Sequence, residues 1–267
     1  MRVQDKINIE DKNQGASNKS GVRSDFLYGS LLEQKRYIHT LYAVKDLEVL
    51  DCASGIGWGS YLLAKAGAKK VVGVELSANA VSSARQYYSA SNLEYINSSL
   101  ENASLANGSF DVIVSFETLE HVSEPVKFLK NLRALAKDDA AMFLSTPNGI
   151  AFKEHGDAPC NPYHLDEYTR QELQEMFFEA GWEIAEYRGQ YLMQSESEAL
   201  GSYRKFIKRF WRRQDLIRRF GMLYKLASFL MGKIHPIIEL AYSSDCSPIR
   251  VEEGFQPAYH YFILKAN

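Results

Sequence analysis

The stretch VLDCASGIGWGS, residues 49–60, joins a short apolar run to a loop with three glycines and then to a helical pattern. The apolar run is typical of a buried strand, and glycine lets the following turn approach a ligand closely because it has no Cβ. Glu75 ends the next apolar run, where a carboxylate can accept hydrogen bonds from both hydroxyls of a ribose. The pattern predicts a nucleotide-like ligand. The alternative is a glycine turn that serves only tight helix packing, with an exposed glutamate nearby.

Short apolar runs alternate with helical patterns along the chain, which indicates an α/β fold with a parallel sheet built from βαβ units. The helical patterns space apolar residues by three and four, as helices that rest on a sheet do. A first helix is predicted over residues 31–44. The predicted strands are 47–52, 70–75, 93–97, 110–115, 140–146, 182–188 and 259–265.

Composition limits the class of protein. The chain has 267 residues, 46% of them hydrophobic, which is enough for one sizeable core. A formal net charge of −2 does not indicate a protein that binds polyanions along its whole surface. Its three cysteines lie far apart without the spacing of a zinc site, and neither an export signal nor a spanning helix is predicted. We therefore expect a cytoplasmic protein.

Three regions are predicted along the chain. Residues 1–22 are polar and read as a flexible N-terminal arm. Residues 23–190 together with 257–267 form the main domain, and 191–256 form a helical insertion before the last strand. The insertion is basic, since residues 201–236 contain ten Lys or Arg and one Asp. Its aromatic and aliphatic residues recur at helical spacing, so the insertion is predicted to be amphipathic.

The pattern D-x-A-S-G-x-G-x-G at 51–59, followed by VVGVELS at 71–77, resembles the first two motifs of class I S-adenosylmethionine-dependent methyltransferases. An acid at the end of the first strand, Asp51, suits a ligand with an ammonium group near the turn. The resemblance covers residues 25–190 and the final strand. It implies a Rossmann-like sheet of seven strands with the last strand antiparallel, and S-adenosylmethionine as cofactor.

The same resemblance implies which residues hold that cofactor: the methionine portion at the glycine loop, the ribose at the acid after the second strand, and the adenine edge at SSLE, residues 98–101. Three departures from the family pattern stand out. Ala53 replaces the usual first glycine, Ser99 replaces a common acid, and KDDA replaces K-P-G-G before the fifth strand. The implied cofactor-binding residues are Asp51, Ala53, Ser54, Gly55, Gly57, Glu75, Leu76, Ser99, Leu100 and Phe116.

The stretch SFETLEHV, residues 115–122, crowds three polar side chains at the end of the fourth strand. Ligands of this fold lie in the crevice beyond the carboxyl ends of the strands. In a helical turn, Glu117, Glu120 and His121 share one face, and two carboxylates with an imidazole suit a divalent ion. The alternative is that one acid contacts the cofactor while the histidine caps or packs.

The pattern E-x-x-E-H, followed by S-T-P-N and a later histidine before an EYTRQEL-like helix, resembles the small-RNA 3′-terminal 2′-O-methyltransferases. Ubiquinone-biosynthesis O-methyltransferases share much of it. The resemblance implies Mg²⁺ or Mn²⁺ as a second cofactor, and either histidine could also serve as general base. His155 is a less favoured substitute for His164, and His39 and His260 are predicted to be structural. The implied metal ligands are Glu117, Glu120, His121 and His164, and the implied catalytic residues are His121, His164 and Glu117.

Neither the basic insertion nor the remaining motifs decide which acceptor is methylated. Residues 201–235 can form a lid or dimer element, contact an anionic membrane peripherally, or bind RNA, the least favoured of the three. The chain is similar to bacterial methyltransferases of surface-polysaccharide assembly in three stretches, RYIHTLYAVKDLEVLDCASGIGWGS, SFETLEHV and STPNG. This resemblance implies a saccharide or glycolipid acceptor at the inner membrane face. The alternatives are an RNA 3′-terminal 2′-O-methyltransferase, a phenolic or quinone-precursor O-methyltransferase, and a catalytically inactive, cofactor-binding regulatory partner. The oligomeric state is left open.

Overall fold

The computed structural model describes residues 24–152, 159, 161, 163–194, 201, 205 and 247–267. The predicted arm at 1–22 lies outside this part of the chain, as do most of the predicted insertion, His155 and His235. The strands are β1 Glu48–Cys52, β2 Lys70–Glu75, β3 Leu93–Asn97, β4 Phe110–Phe116, β5 Ala136–Pro147, β6 Trp182–Gln194, β7 Ile249–Arg250 and β8 Phe255–Ala266.

Within the described residues the strands form one sheet in the order β3-β2-β1-β4-β5-β8-β6-β7. The strands β3, β2, β1, β4 and β5 pair in parallel, whereas β8 is antiparallel to both of its neighbours. This confirms the predicted α/β sheet of seven strands with an antiparallel last strand. The two-residue β7 is an additional edge strand, too short to produce a periodic pattern in the sequence.

The sheet order places two loops side by side. Strand β1 has β2 on one side and β4 on the other, so the order reverses direction between β1 and β4. Ligands of open α/β sheets bind beyond the carboxyl ends of the strands at this kind of switch point. The glycine loop follows β1 and SFETLEHV follows β4, so both predicted motifs open onto the same crevice.

Four of the helices lie where the apolar spacing predicts them, whereas the first, predicted over 31–44, spans Ser24–Thr40, and the short helix Gly149–Phe152 was not predicted. Pro125 begins the fourth helix, where its missing N–H leaves no bond unmade, and Thr169 with Glu172 forms a capping box on the sixth. The helices are α1 Ser24–Thr40, α2 Trp58–Lys65, α3 Ala78–Tyr87, α4 Pro125–Leu135, α5 Gly149–Phe152 and α6 Arg170–Glu179, with 3₁₀ turns at Leu41–Ala43, Leu100–Asn102 and Leu119–His121. None of the helices in the described ranges is long and apolar enough to cross a membrane.

The strand boundaries differ from the predicted ones at the far end of the sheet. Strand β6 continues through Gln194 and β8 begins at Phe255, so ordered strand extends from both sides into the region predicted as insertion, 191–256. The two strands pair with each other over this extension, with Leu192 opposite Pro257 and Gln194 opposite Phe255. Backbone pairing between distant residues carries no local sequence signal, which is why the extension was not predicted.

Two apolar layers cover the sheet, one on each face. Successive residues of a strand point to opposite faces, and accordingly Val49 packs in one cluster and Leu50 in the other. Trp182 is buried under α4, where its Nε1 donates to the carbonyl oxygen of Leu129 at 3.1 Å. The resulting rigid sheet fixes the carboxyl ends of β1, β2 and β4, from which the functional side chains project.

Candidate cofactor and metal site

The glycine loop contains two glycines with different reasons for lacking a side chain. Gly57 has φ +87°, and a Cβ there would lie 2.6 Å from both Ala84 Cβ and Tyr95 Oη. Gly55 has φ +55°, but a Cβ there would meet no atom within 4 Å. Packing therefore explains Gly57, whereas Gly55 borders open space that a ligand can occupy.

The acid after β2 reaches the glycine loop directly. Glu75 Oε2 accepts a hydrogen bond from the backbone N–H of Gly55 at 3.0 Å, and its Oε1 accepts from the N–H of Ser77 at 2.7 Å. Leu76, the next residue, is 73% exposed, which leaves an apolar side chain available beside this carboxylate. The structure thus brings together three of the residues predicted to hold the cofactor: Gly55, Glu75 and Leu76.

Asp51 lies beneath the loop and is fully buried. Its Oδ1 accepts a hydrogen bond from Tyr37 Oη at 2.9 Å, and its Oδ2 accepts from Ser60 Oγ at 2.6 Å. Burial raises the pKa of this carboxyl to about 6, although both hydroxyl donors oppose the rise. Asp51 therefore ties α1 and α2 together under the turn and places an acidic group close to the ligand space.

The other predicted cofactor residues lie at the carboxyl ends of β1, β3 and β4 or directly after them. Ala53 has φ +60°, a left-handed conformation that glycine adopts more easily, as the family motif would lead one to expect. Ser54 Oγ is buried and has no hydrogen-bond partner among the described residues, so a ligand could supply one. Ser99 precedes the 3₁₀ turn that contains Leu100, and Phe116 packs edge-on against Tyr37 with ring centroids 5.0 Å apart. An open cradle with an orphaned hydroxyl fits a nucleotide-like cofactor.

Three of the four predicted metal ligands converge. One ligand atom from each of Glu120, His121 and His164 lies within 4.8 Å of the other two. The two imidazole rings meet edge to face with centroids 4.8 Å apart. The 3₁₀ turn Leu119–His121 presents the first two side chains, and the loop before α6 presents His164.

Glu117, the fourth predicted ligand, lies outside this group of three. Its Oε1 accepts a hydrogen bond from Ser145 Oγ at 2.9 Å and forms an ion pair with Arg36 Nη1 at 2.9 Å. Its backbone has φ +49°, an uncommon conformation for a residue with a Cβ. Arg36 is itself buried and its Nε donates to Gln190 Oε1 at 2.6 Å. The role of Glu117 as a metal ligand stays a prediction.

Glu120 carries the observation that best fits a cation. Its Oε2 accepts from Thr146 Oγ1 at 3.0 Å, whereas its Oε1 is buried and has no partner among the described residues. Burial, followed by the negative charge of Glu117, raises the pKa of Glu120 well above its usual range. A buried carboxylate oxygen without a partner is costly, and a divalent ion would satisfy it.

Both histidines present the nitrogen that a metal requires. His121 Nδ1 lies 2.8 Å from the carbonyl oxygen of Tyr163, which can only accept, so Nδ1 carries the proton. His164 Nδ1 donates to Glu167 Oε1 at 2.7 Å. Metal-binding histidines commonly donate their second nitrogen in this way, so Nε2 is the nitrogen of each ring whose lone pair an ion would use. The donor set therefore fits a divalent metal.

The remaining histidines of the described chain lie elsewhere. His260 is fully buried, between Tyr187 Oη at 2.9 Å and the carbonyl oxygen of Tyr168 at 3.2 Å, and burial lowers its pKa to about 3. His39 Nδ1 lies 3.1 Å from Tyr261 Oη. Both arrangements agree with the structural roles predicted for these two residues.

Comparison with known proteins identifies the family of this chain. Residues 30–187 match the family model described as a methyltransferase domain. A probable S-adenosylmethionine-dependent methyltransferase of Mycobacterium tuberculosis is 30% identical over 135 residues, 51% of this chain and 48% of that protein. A ubiquinone biosynthesis O-methyltransferase of Coxiella burnetii is 35% identical over 115 residues, 42% of this chain and 49% of that protein. The chain thus spans about half the length of these relatives.

Solved structures share the fold at low sequence identity. An S-adenosylmethionine-dependent methyltransferase from Mesorhizobium loti superposes with a TM-score of 0.54 at 15% identity, covering 88% of this chain and 99% of that one. A putative methyltransferase from Bacillus halodurans gives a TM-score of 0.53 at 17% identity, with 88% and 97% covered. The family match extends over more than half of the chain and includes both predicted motifs, so the chain belongs to the methyltransferase-domain family, as the resemblance to class I S-adenosylmethionine-dependent methyltransferases implied.

Proposed function

We propose that the protein is an S-adenosylmethionine-dependent O-methyltransferase, assisted by a divalent metal ion, that acts on a sugar hydroxyl of a glycan or glycolipid. The observation that carries the proposal is the convergence of Glu120, His121 and His164 within 4.8 Å, at the end of the strand next to the glycine loop. The relatives from M. tuberculosis and C. burnetii, a probable S-adenosylmethionine-dependent methyltransferase and a ubiquinone biosynthesis O-methyltransferase, support the cofactor and the class of reaction.

The chain's own residues would bind and orient the two reactants. The glycine loop and Glu75 would hold the cofactor, while the three-residue cluster would hold the acceptor, and methyl transfer depends largely on such alignment. S-adenosylmethionine would supply the methyl group, and a divalent ion would make an acceptor hydroxyl in contact with it easier to deprotonate. A histidine that binds the ion by Nε2 and donates by Nδ1 has no lone pair left, so a separate group or solvent would take that proton.

An acceptor with adjacent hydroxyls suits this cluster. Mg²⁺ and Mn²⁺ take about six oxygen or nitrogen ligands, so three protein side chains leave room for acceptor oxygens. A sugar offers two such oxygens on neighbouring carbons. The predicted basic segment, residues 201–235, would bring the enzyme to anionic lipid at the cytoplasmic face of the membrane, where lipid-linked glycans are found.

A second candidate is methylation of a phenolic or quinone-precursor hydroxyl. The relatives named ubiquinone biosynthesis O-methyltransferase favour it, because one of them is 35% identical over the 115 residues it shares with this chain. An adjacent pair of hydroxyls on a catechol would contact an ion in the same manner as a sugar diol. The two candidates therefore differ in the acceptor and not in the chemistry of the cluster.

A single screen separates these possibilities. Protein freed of metal with EDTA is incubated with methyl-labelled S-adenosylmethionine and with lipid-linked glycans, catechols or RNA 3′ ends, with and without Mn²⁺. We expect Mn²⁺-dependent labelling of a glycan that is lost in His121→Ala and His164→Ala and kept in His39→Gln. Labelling of catechols alone would support the second candidate, and labelling of RNA would support the RNA alternative. Binding of the cofactor without any transfer would support the regulatory partner, and equal labelling with EDTA and in both alanine variants would contradict the metal.

A further inference from the structure

His164 is held at both of its ring nitrogens. Its Nδ1 lies 2.7 Å from Glu167 Oε1, and its Nε2 lies 2.8 Å from Asn161 Nδ2. The Glu167 side chain is completely buried, and its Oε2 has no hydrogen-bond partner among the described residues. Among the described residues, the Glu167 carboxylate makes its one side-chain hydrogen bond to the His164 imidazole. Because burying a carboxylate is costly, this contact indicates that Glu167 has a specific role toward His164.

Two independent contacts determine the tautomer of His164. A carboxylate oxygen accepts, so Nδ1 must donate to Glu167. The orientation of the Asn161 amide is also fixed, because its Oδ1 accepts from the backbone N–H of Tyr163 at 3.0 Å. Its Nδ2 therefore donates toward Nε2 of His164, which must be the acceptor. Both contacts leave His164 with the proton on Nδ1 and the lone pair on Nε2.

The backbone around Glu167 is fixed against the end of β5. The N–H of Gly149 donates to the carbonyl oxygen of Tyr168 at 3.0 Å, and Asn148 pairs with Tyr168 in a short parallel bridge. A Cβ on Gly149 would lie 2.6 Å from the carbonyl oxygen of Glu167, so only glycine permits this approach. Glu167 thus lies in a loop segment whose backbone is fastened to the residues directly after β5.

We propose that Glu167 is a positioning residue of the metal site, holding His164 with its Nε2 lone pair toward the ion, and that Asn161 is a placeholder whose amide occupies that lone pair until an ion displaces it. The inference rests on the proposed metal-assisted function and deepens it. Glu167 sets the ligand atom and the ring orientation, whereas Asn161 sets a competing hydrogen bond that ion binding must break.

The tautomer is tested in the metal-free protein by long-range ¹H–¹⁵N NMR of ¹⁵N-histidine-labelled samples, with the His164 signals assigned from His164→Gln. We expect the Nδ1–H tautomer in the wild type and in Glu167→Gln, whose amide oxygen can still accept. In an Asn161→Ala background, where the second contact is absent, Glu167→Ala should lose that preference, while Asp166→Asn, which removes the neighbouring charge, should keep it. An unchanged Nδ1–H tautomer in the Asn161→Ala, Glu167→Ala double variant overturns the positioning role, whatever the protein does with metal.

Ion affinity is tested by Mn²⁺ titration of the same proteins, with thermal melting as the check of folding. Glu167→Ala should bind Mn²⁺ roughly 10- to 100-fold more weakly than Asp166→Asn, as loss of a histidine's outer partner does elsewhere. Glu167→Gln should match Asp166→Asn. Asn161→Ala should bind about three- to tenfold more tightly, because the ion no longer competes with a hydrogen bond.

The outcomes distinguish failure of this inference from failure of the metal-assisted function on which it rests. Equal Mn²⁺ affinity in Glu167→Ala and Asp166→Asn overturns the role of Glu167, and unchanged or weaker affinity in Asn161→Ala overturns the role of Asn161. Absence of Mn²⁺ binding in the wild type contradicts the metal-assisted function itself, together with the ion-binding part of this inference.

Discussion

The Nδ1 atom of His121 donates to the carbonyl oxygen of Tyr163 at 2.8 Å and so joins the loop after β4 to a loop 42 residues further along the chain. A second bond runs the other way, from the N–H of Leu165 to the carbonyl oxygen of Glu120 at 2.7 Å. His121 and His164 each lie next to a residue that takes part in these two bonds. The candidate ligands are therefore brought together by the protein's own hydrogen bonds, and an ion is not needed to assemble the cluster.

The first prediction compares the two glycines of the loop. Gly55→Ala should lower the free energy of unfolding by only about 1–2 kcal/mol, the cost of a left-handed alanine, because its Cβ meets open space. It should nevertheless weaken S-adenosylmethionine binding at least about tenfold, since one clash with a ligand costs more than 1.4 kcal/mol. Gly57→Ala should lose more than about 3 kcal/mol of stability, because its Cβ would overlap Ala84 and Tyr95. Denaturant unfolding and calorimetric titration measure both effects, and wild-type cofactor affinity in Gly55→Ala would contradict the placement of the ligand.

The second prediction concerns the acid after β2. Glu75→Ala removes the acceptor of the Gly55 N–H and the charged acceptor predicted for the ribose, so the Kd for S-adenosylmethionine should rise roughly 10- to 100-fold. Glu94→Ala, on the neighbouring strand and paired with exposed Lys70, serves as the control and should bind as the wild type does. Calorimetry provides the measurement. Equal affinities in the two variants would remove Glu75 from the cofactor site.

The third prediction uses the raised pKa of Asp51. The pKa is about 6 in the folded chain against an ordinary value of 3.8, so the folded state holds this proton more tightly. The resulting stabilisation is complete below about pH 4 and is lost as the pH rises through 6. Asp51→Asn cannot titrate, so its unfolding free energy relative to wild type should increase with pH over this window, by roughly 3 kcal/mol.

Urea unfolding of both proteins between pH 4 and pH 7.5 checks this, because titration of all other groups cancels in the difference. The same substitution should weaken cofactor binding, since it removes the acidic group beneath the loop. A stability difference that stays constant across the pH range would mean that burial does not raise the pKa of Asp51.

The fourth prediction concerns the basic segment at 201–235, which lies outside the described residues apart from Gly201 and Lys205. The protein should co-sediment with vesicles that contain anionic lipid at low salt, and release at about 0.5 M salt, where charges are screened over a few ångströms. Replacing Arg218 and Arg219 with glutamate should weaken partitioning at least about 30-fold, at about 1 kcal/mol for each lost charge. Vesicles of neutral lipid alone are the control. Salt-sensitive binding to single-stranded RNA without binding to vesicles would favour the RNA alternative instead.

Much of the fold and part of the site follow from local sequence. The glycine loop and Glu75 could be predicted because a strand, a tight turn and an acid at the next strand end lie at fixed spacing, and the sheet order then brings them to one crevice. SFETLEHV could be placed there for the same reason. Alternation of helices and strands predicted the parallel sheet because each element carries its own period.

The rest depends on contacts between distant parts of the chain. Nothing near Arg36 or Tyr37 in the sequence shows that α1 carries them to Glu117 and Asp51, because both lie on a helix whose period predicts only packing. The contacts of Glu167 and Asn161 with His164 likewise depend on side-chain geometry that the sequence pattern does not show. The sequence pattern predicted four metal ligands. In the structure Glu117 forms an ion pair with Arg36, whereas the other three ligands lie together.

The central claim is a metal site at Glu120, His121 and His164. Its most direct test is to measure the stoichiometry and affinity of Mn²⁺ binding to EDTA-treated protein by electron paramagnetic resonance. The wild type should bind one ion per chain, and His121→Ala and His164→Ala should each bind it at least about 100-fold more weakly, since each removes a ligand. His39→Gln should bind as the wild type does. A wild type that binds no Mn²⁺, or alanine variants that bind it equally well, would contradict a metal site at Glu120, His121 and His164.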